Sequence, residues 1–108
     1  MELLNKLSRF LKKEKMRDPD PLEQSLDYVV KDPGNARAHL KLAEIYQKKG
    51  EKRKAISEYL LAAEIFAKND QYVEAMAIYK QVPKQDPSLD HVYLKIADIY
   101  RQTGFLGD

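Results

Sequence analysis

Two stretches of this chain repeat each other at one fixed offset. Asp32-Pro33 returns as Asp86-Pro87, and Leu40-Lys41-x-Ala43-x-Ile45-Tyr46 returns as Leu94-Lys95-x-Ala97-x-Ile99-Tyr100. Gly50 returns as Gly104, again 54 residues on. A turn, a helix and a terminating glycine repeated together mean stacked copies of one supersecondary unit, each too small to bury its own apolar face. A second offset, 34, relates Tyr59, Ala63 and Phe66 to Tyr93, Ala97 and Tyr100. The chain has 108 residues, so only a few such units fit.

Apolar residues recur at helical spacing almost throughout and period-2 alternation is absent, which predicts an all-α fold of about six helices. The first spans Glu2 to Lys15, with Leu3, Leu4, Leu7, Phe10 and Leu11 on one stripe. Asp18-Pro19-Asp20-Pro21 breaks it. The second opens with Asp20 as N-cap, Pro21 at the first helical position and Glu23 closing a capping box, and ends at Asp32-Pro33-Gly34-Asn35. The third runs from Ala36 to Lys49 and stops at Gly50; the fourth runs from Glu51 to Lys68 and ends at Asn69-Asp70. The fifth is predicted over Gln71 to Val82, stopped by Pro83, and the sixth from Asp86-Pro87-Ser88 to Thr103, ended by Gly104. Short connections make neighbouring helices antiparallel.

These residues resemble the tetratricopeptide repeat family. His39-x2-Leu42-Ala43-x2-Tyr46, Gly50 and Ala55-x3-Tyr59-x2-Ala62 are similar to one repeat. Tyr59-x2-Ala62-Ala63-x2-Phe66, Ala75-x3-Tyr79 and Pro87 are similar to the next, and Tyr93-x2-Ile96-Ala97-x2-Tyr100 with Gly104 to a third, cut short. The first two overlap, so the fourth helix serves as second helix of one repeat and first helix of the next. The resemblance implies a solenoid of stacked antiparallel hairpins over residues 18–108. Physically, Ala43, Ala63, Ala75 and Ala97 are small where helix axes pass closely, and Tyr46, Phe66, Tyr79 and Tyr100 fill the space beside them. His39 takes a large-residue core position, and Tyr93 also falls on the core pattern.

Charge separates the ends of the chain. The net charge is +2, yet residues 1–17 hold six basic and two acidic residues, leaving −2 for the remainder. A nucleic-acid binder spreads a basic footprint over its folded face, which this balance does not provide. The basic tract Lys48 to Lys54 spans a predicted turn and reads as solvated. The basic residues within the first apolar stretch, with no small-residue cleavage site after it, argue against a secretory signal and for a cytoplasmic protein. Two readings of the first helix are open. It caps the stack by packing on the second, the preferred reading, or it lies as a basic amphipathic helix on an anionic membrane or a partner.

No catalytic or cofactor constellation emerges. There is no cysteine, each glycine reads as a turn or helix end, His39 and His91 are not in ligand spacing, and no serine has a candidate base nearby. The resemblance implies instead a non-catalytic scaffold that holds a peptide or helix of a protein partner in a concave groove lined by first helices. The groove candidates are Arg37, Leu40, Lys41, Glu44 and Lys48 on the third helix, and His91, Leu94, Lys95, Asp98 and Arg101 on the sixth. Leu40 and Leu94 beside Lys41 and Lys95 would suit an apolar anchor with a nearby acid. Glu44 and Asp98 stand where a chaperone-binding carboxylate clamp would supply Asn, so no chaperone adaptor is expected. The alternative is a peripheral membrane adaptor attached through the first helix. Phe105 and Leu106 look like the entry to a further helix, so the expectation is a longer native protein, or self-association of this chain through the sixth helix.

Overall fold

The computed structural model describes residues 1–16 and 20–104, with side chains described at 1–9 and 20–104. Its α-helices are α1 (Glu2–Met16), α2 (Pro21–Lys31), α3 (Ala36–Lys48), α4 (Lys52–Lys68), α5 (Tyr72–Gln85) and α6 (Val92–Thr103), with a short 3-10 turn at Pro87–Leu89. There is no strand among the described residues. The Asp18-Pro19 part of the expected break lies outside them.

Packing follows chain order: α2 on α3, α3 on α4, α4 on α5, and α5 on α6. The core is a ladder of small and large side chains. Ala43, Ala62, Ala63 and Ala75 have no exposed surface, and Leu42, Phe66, Tyr79 and Val82 are buried around them. An alanine with zero exposure is a place where the neighbouring backbone comes close, and the adjacent large side chain recovers the apolar burial that alanine lacks.

The helix ends carry a turn that the sequence reading caught only in part. Gly50 has φ +79°, its N–H bonds to Gln47 O, and Glu51 N–H bonds to Tyr46 O at 2.9 Å. Twenty residues later Asp70 has φ +61°, its N–H bonds to Ala67 O, and Gln71 N–H bonds to Phe66 O at 2.8 Å. The same left-handed closure joins α3 to α4 and α4 to α5, once with glycine and once with the aspartate that tolerates this region among non-glycine residues.

Four expectations are corrected. The capping box of α2 is absent: Asp20 is the N-cap residue and Pro21 follows it, but no side-chain capping bond forms. The cap that does form is Asn35, whose Oδ1 accepts from Arg37 N at 3.0 Å and Ala38 N at 3.2 Å. Pro83 does not end α5, which continues to Gln85. Proline forfeits only its own donor. The ring is buried, and Asp86 N–H still reaches Val82 O at 3.0 Å. The sixth helix begins at Val92, not at Pro87. Asp86 Oδ1 accepts from Ser88 N at 3.1 Å and Ser88 Oγ at 2.7 Å, which closes a separate 3-10 turn before α6.

The fourth correction is the core of α6. Val92, Ile96 and Ile99 are buried, whereas Tyr93 is 53% exposed and Ala97 and Tyr100 are half-buried. The 54-residue offset explains the difference. In α3 the equivalents of Tyr93 and Ala97 are His39 and Ala43, both buried because α4 packs across them. No helix follows α6 among the described residues, so that face stays open while α5 covers only the stripe at Val92, Ile96 and Ile99.

On α1, Leu3, Leu4 and Leu7 are 71%, 70% and 50% exposed.

Candidate functional site

Because each helix packs on its sequence neighbours, α3 and α5 flank α4, and a hollow of about 290 Å³ opens between them. Arg37, Leu40 and Glu44 line it from α3, Tyr59 and Phe66 from α4, and Glu74, Ala77, Ile78 and Gln81 from α5. Leu40, Phe66, Ala77 and Ile78 give it an apolar floor and wall. The Arg37 guanidinium lies 5.9 Å from the centroid of the Phe66 ring, a cation–π contact that closes one side. Arg37, Glu44 and Glu74 are in no ion pair among the described residues, so the hollow presents one positive and two negative groups, a net −1.

A second hollow, of about 230 Å³, lies between α4 and α6 over α5. Lys95, Asp98, Ile99 and Gln102 line it from α6, Tyr79 from α5, and Glu64, Ala67 and Lys68 from α4. Its charges are balanced, and Asp98 is already bonded by Arg101 at 2.8 Å. The groove candidates are therefore distributed, not gathered. Arg37, Leu40 and Glu44 share the first hollow, and Lys95 and Asp98 the second. Lys41, Lys48, His91 and Leu94 are exposed and line neither; His91 stands just before α6 as its N-cap residue with no capping bond. The reason is topological. The sequence reading lines one groove with the third, fourth and sixth helices; in the structure α3 shares its hollow with α4 and α5, and α6 shares its own with α4 and α5.

Two polar clamps brace the first hollow from below. His39 is buried, with Nε2 2.7 Å from Pro33 O and Nδ1 2.6 Å from Glu58 Oε2. A carbonyl can only accept, so Nε2 donates to it; the proton between Nδ1 and Oε2 completes the second bond. The ring thus ties the α2–α3 turn to α4. Tyr59 donates its hydroxyl to Gln47 Oε1 at 2.6 Å, tying α4 to the end of α3. His39 was legible as a packed core histidine. Glu58, Asn35 and the α5 lining were missed; the one signal for Asn35 was its position directly before a helix.

Burial raises the Tyr59 phenol above its ordinary range, with Glu44 adding to the effect, and burial raises Tyr79 likewise, with Glu64 adding. Both therefore hold their protons at pH values where unfolded tyrosines, near 10.0, have released theirs. Their contribution to stability is full below that pH and is lost as pH rises through the folded-state values. The expected result is a denaturant midpoint that falls above about pH 10, with a shallower fall in Tyr79→Phe. An equal slope in wild type and Tyr79→Phe would contradict it.

Among the described residues there is no group of three side chains able to hold a metal ion, and no buried side-chain polar atom lacks a partner. Two family models, each described as tetratricopeptide repeat, match residues 36–69 and residues 59–88. Their overlap, residues 59–69, falls on α4 and its end, the helix read from the sequence as shared between two repeats. Searches of the curated proteins and of the solved structures gave no match.

Proposed function

The chain belongs to the tetratricopeptide repeat family through residues 36–88, and from that premise we propose a non-catalytic cytoplasmic scaffold that holds a short segment of a protein partner between α3 and α5. Tetratricopeptide repeats are generally protein–protein interaction modules. The finer reading rests on the hollow itself: an apolar floor of Leu40, Phe66, Ala77 and Ile78, with Glu44 and Glu74 outnumbering Arg37 among its charged groups. An apolar side chain would anchor there and exclude water, while a neighbouring Lys or Arg would meet the two carboxylates. This reverses the charge expected of the partner. Lys41 and Lys95, which suggested an acid beside the anchor, line no common hollow.

A displayed library of random peptides, selected on the full chain, tests the reading. The expected winners carry a large apolar residue with Lys or Arg close by. Their binding falls at least about tenfold in Leu40→Asp and in the pair Glu44→Lys with Glu74→Lys, and holds in Lys95→Glu. These positions are exposed or half-buried, so circular dichroism should show the fold intact. Winners that bind all variants equally, or that are rich in Asp and Glu, would contradict the reading.

A further inference from the structure

We propose that α1 is a membrane-surface helix that seats this chain on an anionic lipid face. The inference rests on α1 alone and is independent of the hollow between α3 and α5. Leu3, Leu4 and Leu7 lie on one side of α1 at i, i+1 and i+4 and are at least half exposed. The sequence continues their register with Phe10 and Leu11. Together these positions span an arc of about 120°. Lys6 and Arg9 fall on the remaining surface and are exposed. A cationic helix with one apolar arc matches a surface that offers an apolar layer beneath negative headgroups.

Length and charge decide how it would sit. At 15 residues, α1 is about 22 Å long, shorter than the hydrocarbon layer, and no helix among the described residues is long and apolar enough to cross a membrane. The helix would lie in the plane of the surface, its leucines in the acyl boundary and its cations among the headgroups. The +4 carried by residues 1–17, against −2 for the rest of the chain, directs attraction to this end of the molecule.

Co-sedimentation of the full chain with vesicles tests the proposal. Vesicles of phosphatidylcholine with about 30% phosphatidylserine should bind at least about tenfold more protein than phosphatidylcholine alone. Binding should drop several-fold between about 0.1 M and 0.5 M salt. Leu4→Glu with Leu7→Glu, and separately Lys6→Glu with Arg9→Glu, should each abolish it. All four positions are exposed, so unchanged helical content and melting keep a negative result interpretable. Several results would overturn the proposal: no binding to the anionic vesicles, equal binding to neutral ones, or undiminished binding by either double variant. So would a lipid-free dimer in sedimentation velocity that the leucine pair dissolves, since α1 would then be a protein interface. Peptide selection on the hollow is read separately, and neither result decides the other.

Discussion

Replacing His39 with alanine is expected to lower the stability of this chain by about 2–4 kcal/mol, the largest effect of any single change considered for it. Three losses add together. The buried ring leaves a void at the junction of α2, α3 and α4. Pro33 O loses its 2.7 Å donor, and Glu58, whose side chain is only 18% exposed, loses its partner at 2.6 Å. The control is Glu58→Gln. With Nε2 carrying the hydrogen that Pro33 O requires, Nδ1 offers a lone pair, and the Gln amide can donate to it in place of the original bond. That variant should stay within about 1 kcal/mol of the parent, whereas Glu58→Ala should approach the His39 variant. Urea titrations of the three variants measure this. Equal losses in Glu58→Gln and Glu58→Ala would mean that charge attraction, not the hydrogen-bonded clamp, holds the α2–α3 turn against α4.

The second large effect separates two alanines that the sequence makes equivalent. Ala43 and Ala97 occupy the same place in the 54-residue repetition, yet Ala43 has no exposed surface and Ala97 is half-buried. Ala43→Leu forces three more carbons between α3 and α4 and is expected to cost about 1–3 kcal/mol. For a domain of this size each kcal/mol lowers the melting temperature by roughly 4–8 °C. Ala97→Leu adds the same atoms to the face of α6 that no described helix covers, and should change stability by less than about 0.5 kcal/mol. Equal melting shifts for the two would show that the face of α6 at Ala97 is covered in solution.

That contrast also shows what the sequence could and could not say. Helical period, the Asp-Pro turns and Gly50 located every helix of the stack, because local backbone preference and the 3.6-residue stripe act within one element. Overlapping repeats are legible too, since Tyr59 and Ala62 satisfy two patterns at once and α4 is packed on both sides. Tyr93 was misplaced in the core because a core pattern states what a face is suited to, and burial needs a neighbour on that face. Pro83 was read as a stop because its missing donor is local information, while the burial that carries α5 onward is not. Part of the candidate site is legible in the sequence: Arg37, Leu40 and Glu44, three of the nine residues lining the hollow, share it. Tyr59 and Phe66 come from α4 and Glu74, Ala77, Ile78 and Gln81 from α5, and no spacing within the chain reports that α5 would lie across from α3. Such pairings depend on which layer each helix joins, which is settled by packing among three helices at once.

Partner binding in this proposal belongs to the hollow between α3 and α5. Amide chemical-shift mapping with a peptide selected on the full chain addresses it most directly, because it reads every helix in one experiment. The account predicts shifts concentrated at Leu40, Glu44, Ala77 and Ile78, with Lys95, Asp98 and Gln102 of the α4–α6 hollow unmoved. Shifts centred on those three α6 residues, or spread evenly along the stack, would contradict it.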